Sequence, residues 1–141
     1  MTSIRFYSNA EDRLRAAAAW LAASWQHQKS IVVFAPDAAA AEHLDRLLWA
    51  QPATGFLPHC RAGSPLAAET PVLIASRLDD LPQNDCLLNL SDEVPPGFSR
   101  FEELVEIVST DDAVRLPARD RFRFYRERGY ALDNRNVADG F

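Results

Sequence analysis

Residues 30–49 read SIVVFAPDAAAAEHLDRLLW, and the change of pattern inside this stretch decides the fold. Its first six residues, SIVVFA, are a continuous apolar run of strand length. Such runs suit a strand buried on both faces of a parallel sheet. After Pro36 the period becomes helical, with Ala40, Ala41, Leu44, Leu47 and Leu48 on one arc at about 100° per residue. Asp37 is placed to cap that helix, which is predicted to run to about Trp49. Upstream, residues 4–7 (IRFY) read as a first strand, and residues 10–28 switch to helical period. Leu14, Ala18, Leu21 and Trp25 share a narrow arc there with Ala17 beside it, and Ser8 or Asn9 can cap the helix.

Downstream, residues 51–70 hold Pro52, Gly55, Pro58, Gly63 and Pro65 and read as a long surface connection with a short strand near 56–60. Residues 71–75 (PVLIA), 86–90 (CLLNL) and 104–108 (LVEIV) are three more buried-type strands, with a helical turn between the last two. Residues 110–129 form a last long helix. Pro117 is a point where it can divide in two, and Gly129 is a left-handed stop. The alternation predicts one three-layer α/β domain over residues 1–141, with a mostly parallel central sheet flanked by helices.

Composition agrees with a globular chain: 48% hydrophobic and 25% charged over 141 residues. No apolar run approaches the roughly 20 residues of a membrane span. The opening MTSIRFYSNAEDR has no signal-peptide core, so a cytoplasmic protein with no membrane association is expected. Cys60 and Cys86 form no CxxC pair and are expected to be thiols.

Catalytic and cofactor signals are weak. No GxGxxG or GxxxxGK[ST] occurs, the turns after the first two strands lack glycine, and Lys29 is the only lysine. A phosphate-binding loop is therefore not expected. The run CLLNLSDE resembles a Walker-B strand end, with Asp92 and Glu93 as metal-holding carboxylates. A degenerate or cryptic nucleotide hydrolase is thus the alternative reading. His27, His43 and His59 make no metal motif, Gly63-Ser64-Pro65 is not a nucleophile elbow, and Asp79 with Asp80 reads as a solvated turn. Neither a cofactor nor a catalytic constellation is expected.

Two binding surfaces rise above this background. Trp49 lies about 140° from Leu44, on the side that carries Glu42, Asp45 and Arg46. It is either covered by the next loop, with Pro52, Phe56 and Pro58, or kept for a partner. On the last helix, with Arg115 at 0°, Arg119 lies at about 40°, Phe122 at −20° and Arg126 at 20°, while Ala118 and Tyr125 lie at about −60° and −80° on the core side. This places an aromatic floor beside a row of arginines, suited to a peptide with a hydrophobic end and acidic residues.

The charge distribution points the same way. Seven arginines between 115 and 135 face three carboxylates, a local +4, whereas the rest of the chain has 8 basic and 17 acidic residues, or −9. That acidic remainder disfavours direct single-stranded DNA binding with Phe122 and Tyr125 as stacking surfaces.

Phe6-Tyr7, LDRLLWAQPATGFLPH (44–59) and ARDRFRFYRERGY (118–130) together resemble the chi subunit of bacterial DNA polymerase III holoenzyme, a likeness that extends over essentially the whole chain. The resemblance implies a Rossmann-like fold and a non-catalytic accessory role in the clamp loader during DNA replication. It implies two partners: the psi subunit and the acidic, phenylalanine-ended tail of single-stranded-DNA-binding protein. Association with single-stranded DNA would then be indirect. By position, Arg119 is similar to the family's tail-gripping arginine, Arg115 holds a basic position one turn earlier and Phe122 an aromatic one beside it; Arg126 joins the candidate site from its place in the arginine row. Trp49 and Phe56 resemble the positions that meet psi, or a helicase that competes for chi in some bacteria. Pro117 and a short connection at 61–70 depart from the family pattern.

Overall fold

The computed structural model describes residues 1–50, 57–79 and 81–141. Its strands are β1 (Ser3–Ala10), β2 (Ile31–Phe34), β3 (His59–Arg61), β4 (Val72–Ala75), β5 (Cys86–Asn89), β6 (Glu103–Ser109) and β7 (Leu132–Asn136). Its helices are α1 (Arg13–Ser24), α2 (Ala38–Trp49) and α3 (Asp112–Glu127). The strands form one sheet in the order β3-β4-β2-β5-β6-β1-β7, and every pairing is parallel. The α/β class and three-layer architecture read from the sequence are therefore present.

The four strand residues of β2 are all buried because the sheet is covered on both sides. Ile31 and Val33 point into one core with Ala17, Leu21, Leu44 and Leu48, under α1 and α2. Val32 and Phe34 point into the other, with Ala118 and Tyr125 of α3 and with Phe98 and Phe101. α1 and α2 carry the chain toward the β3 edge on one face, and α3 carries it toward the β7 edge on the other. A uniform crossover hand requires that division.

Several boundaries differ from the sequence reading. β1 continues to Ala10, so α1 starts later than expected. Its cap is Asp12, whose carboxylate accepts from the Arg15 amide at 3.0 Å, and not Ser8 or Asn9. α1 also ends at Ser24, and a 3-10 turn follows over Trp25–His27. Asp37 holds the cap position of α2 but makes no side-chain cap bond. The short strand expected near 56–60 is β3, and Phe56 lies outside the described residues.

α3 is one helix, not two, with Pro117 inside it. Proline removes the N–H that the Ala113 carbonyl would receive. Ala113 is exposed, so that carbonyl can turn to water. Gly129, at φ 83°, stops the helix as read. Its amide bonds Arg126 O (3.0 Å) and the Tyr130 amide bonds Tyr125 O (3.2 Å), the paired closure of a left-handed C-terminal cap. β7 was not expected at all. Its sequence, LDNRN, is a polar edge strand without an apolar face.

Candidate functional site

A hollow of about 260 Å³ opens between α3 and the carboxyl ends of β1 and β6. A break in strand register makes it. Tyr7 pairs with Ile107, but the next β1–β6 pair is Ala10 with Ser109, so Ser8 and Asn9 bulge out of that ladder. Asn9 takes a left-handed backbone (φ 69°), a conformation asparagine tolerates better than most residues. Ser8, Asn9, Val108 and Ser109 all line the hollow.

Its floor is apolar. Phe6 from β1 and Phe122 from α3 meet edge to face, with ring centroids 5.1 Å apart, and Ala118 and Val108 complete it. Arg115 and Arg119 stand on one rim, and Asn134 of β7, whose Oδ1 accepts from the Ser8 hydroxyl at 3.0 Å, stands on the other. Arg115 is tied to Asp112 by an i,i+3 ion pair, which holds that exposed carboxyl below the usual carboxylate range. Arg119 is exposed and has no hydrogen bond or ion pair among the described residues. Arg126 does not line the hollow. Its guanidinium lies over the outer side of Phe122, 6.0 Å from the ring centroid.

Arg115, Arg119 and Phe122 are thus brought together around one cavity, with Arg126 beside it. The site offers an apolar pocket for a ring and a bidentate donor for a carboxylate. Tyr125 is fully buried, so it provides no stacking surface.

Beneath α3 lies a cluster that sequence reasoning missed. Glu106 of β6 and Arg121 of α3 are 0% and 3% exposed and bonded through both carboxylate oxygens: Arg121 Nη2 to Oε1 and Nε to Oε2, each at 3.1 Å. The Tyr125 hydroxyl (2.8 Å) and Asn89 Nδ2 (3.0 Å) also donate to Oε2. Burial and the Glu106 charge push the Tyr125 hydroxyl far above the ordinary tyrosine range, so it remains a donor. The available signal was a lone glutamate in an otherwise apolar strand, which demands a buried partner.

On the opposite face, Trp49 is 62% exposed at the end of α2. Its indole leans on the buried ring of His59, with centroids 4.7 Å apart. His59 Nδ1 is bonded to Leu57 O (2.7 Å), and Asp45 Oδ1 lies 3.3 Å from Nε2, which is buried and makes no hydrogen bond among the described residues. Phe56, the expected companion of Trp49, is among the residues not described.

Asp92 and Glu93 sit at the carboxyl end of β5, where open α/β sheets receive ligands. Arg13 occupies that position. It donates from Nε to Ile107 O (2.9 Å) and from Nη2 to Asn89 O (3.3 Å) and Ser91 O (2.9 Å), and its Nη1 lies 3.6 Å from Asp92. Burial lowers the Arg13 pKa from its usual value. The crevice is thus lined by the chain's own cation, and Asp92 already has a counter-charge. Among the described residues no group of three or more His, Cys, Asp or Glu side chains is arranged to hold a metal ion. No helix there is long and apolar enough to cross a membrane.

The family model described as "DNA polymerase III chi subunit, HolC" matches residues 1–133. The chain belongs to the chi-subunit family of DNA polymerase III. Its relatives in that family include the DNA polymerase III subunit chi of Pseudomonas aeruginosa, 34% identical over 97% of this chain and 98% of the relative. The chi subunits of Haemophilus influenzae and Escherichia coli are each 32% identical, covering 83% and 77% of this chain and 83% and 75% of their own lengths. The match takes in α3, the β1–β6 bulge and the Trp49 end of α2, so both candidate surfaces, Asn134 apart, lie inside the shared region.

Proposed function

We propose that this chi-family chain is a non-catalytic adaptor of the cytoplasmic replicase. The hollow on α3 takes the acidic, phenylalanine-ended tail of single-stranded-DNA-binding protein, and the Trp49 side of α2 takes the psi subunit of the clamp loader or a helicase. The chain then joins the polymerase to protein-coated single-stranded DNA without itself gripping nucleic acid. One observation carries the reading: Arg119, without an internal ion-pair partner among the described residues, stands on the rim of an apolar cavity floored by Phe6 and Phe122. A terminal phenylalanine supplies a ring for that floor and a carboxylate for that guanidinium.

A shallow site with one or two guanidinium–carboxylate contacts supports micromolar affinity, about −8 kcal/mol. The test is a fluorescence-anisotropy titration with a labelled acidic peptide ending in Pro-Phe. Arg119→Ala is expected to weaken binding at least about tenfold with an unchanged melting temperature, because the residue is exposed. Equal affinity of wild type and Arg119→Ala would remove the assignment.

A further inference from the structure

α3 has a narrow buried stripe. Ala118, Arg121 and Tyr125 are its buried residues, and Phe122 is half-buried. The other four arginines of this 16-residue helix surround that stripe. The half-buried Val114, Phe122 and Phe124 flank the stripe, and an apolar face this narrow fixes rotation about the helix axis less tightly than a broad one. A rotation of about 30° would move a group at the outer radius of a helix by about 3 Å. That displacement is enough to take Arg119 out of bonding reach of a ligand seated on Phe122.

Glu106 supplies the missing specification. Arg121 and Tyr125, one turn apart on α3, both donate to its carboxylate. Two donors at different heights and angles on the helix, closing on one fixed acceptor group, define both its axial position and its rotation. Glu106 is itself held from the sheet by Asn89, whose Oδ1 accepts from the Ser91 amide and hydroxyl at 3.0 and 2.7 Å. Arg121 Nη1 is buried with no hydrogen-bond partner among the described residues. A buried ion pair with an orphaned donor is a poor device for raising stability, and geometric specification is the better-attested use of such pairs.

We propose that Glu106 is the positioning residue of the α3 hollow. Acting through Arg121 and Tyr125, it fixes the rotation that holds Arg119 above Phe6 and Phe122, and so sets the preference for a free terminal carboxylate. This rests on the tail-binding reading above.

The test compares full-length wild type with the double variant Glu106→Leu/Arg121→Met, titrated with the acidic Pro-Phe peptide as free acid and as amide. Replacing a buried pair with apolar residues of similar size is often neutral or stabilising, so the double variant is expected to melt within a few degrees of wild type or above it. Its affinity for the free acid is expected to fall about tenfold, and the acid-to-amide preference several-fold. Arg121→Lys keeps the charge but loses the planar fork, and covers the case in which the double variant does not fold. It is expected to lose about threefold in that preference with an unchanged circular-dichroism spectrum. Wild-type preference in either folded variant overturns the proposal. A wild type that binds neither peptide removes the tail-binding reading and this inference with it. A discriminating wild type beside an equally discriminating variant removes this inference alone.

Discussion

α2 and α3 cover opposite faces of the same sheet, and their solvent sides present different chemistry. α3 offers a cavity rimmed by guanidinium groups, with a buried ion pair beneath it. Among the described residues, α2 offers an exposed indole against a buried histidine, whose Nδ1 is bonded to a backbone carbonyl and whose Nε2 faces Asp45. On the proposed reading, the first surface recognises charge and a chain terminus. The second buries aromatic area at little entropic cost, as interface anchors do. Because a close-packed parallel sheet separates them, occupancy of one need not disturb the other, which is what an adaptor requires.

The comparison can be broken most forcefully by charge reversal. Arg119→Glu is expected to weaken the acidic peptide about a hundredfold or more, by combining a lost charge-assisted bond with repulsion, while a partner captured at Trp49 binds as before. Isothermal titration with each ligand checks it, and loss of both interactions would show that the faces are coupled.

Next in size is Trp49→Ala. It is expected to lower affinity for the α2 partner at least about tenfold and leave the peptide Kd within about twofold. Since the indole is largely exposed, the cost in stability is expected to be about 1 kcal/mol, the lost contact with His59 included. A large drop in melting temperature would make Trp49 a core residue instead.

Salt sharpens the contrast. Raising ionic strength from 0.05 to 0.3 M is expected to weaken the peptide about three- to tenfold, and the aromatic partner less. Equal salt slopes for the two ligands would contradict the division of chemistry.

The smallest effect concerns Asp112. Its carboxyl pKa is depressed by the Arg115 bond, so it is ionised at neutral pH and competes with any ligand for Arg115. Whatever the pair contributes is present above the normal carboxyl range and is lost as pH falls through the lowered value. Asp112→Asn is expected to tighten peptide binding about twofold at pH 7. A weaker complex would show that Asp112 helps to place Arg115 for the ligand.

The strands read most clearly from the sequence were those buried on both faces, because SIVVFA, PVLIA and LVEIV need no periodicity to declare themselves. β7 escaped because an edge strand can be polar on every residue when its pairing is made by backbone alone. Helical phase placed Arg115, Arg119, Phe122 and Arg126 on one side of α3 and Tyr125 in the core. It could not show that Arg126 lies outside the cavity or that Asp112 engages Arg115. The Ser8–Asn9 bulge that opens the hollow leaves no pattern in one strand, since it exists only in the register of two. Arg121 is one of the seven arginines of residues 115–135, and nothing local in the sequence ties it to Glu106, 15 residues earlier and in another layer.

The most direct measurement is a chemical-shift map of isotopically labelled protein titrated with the acidic, phenylalanine-ended peptide. Shifts are predicted to gather at the amides of Phe6, Ser8, Asn9, Arg119 and Phe122, with the Trp49 indole N–H unmoved. Shifts centred on Trp49 or on the Asp92–Glu93 turn, with the α3 amides unmoved, would contradict the account.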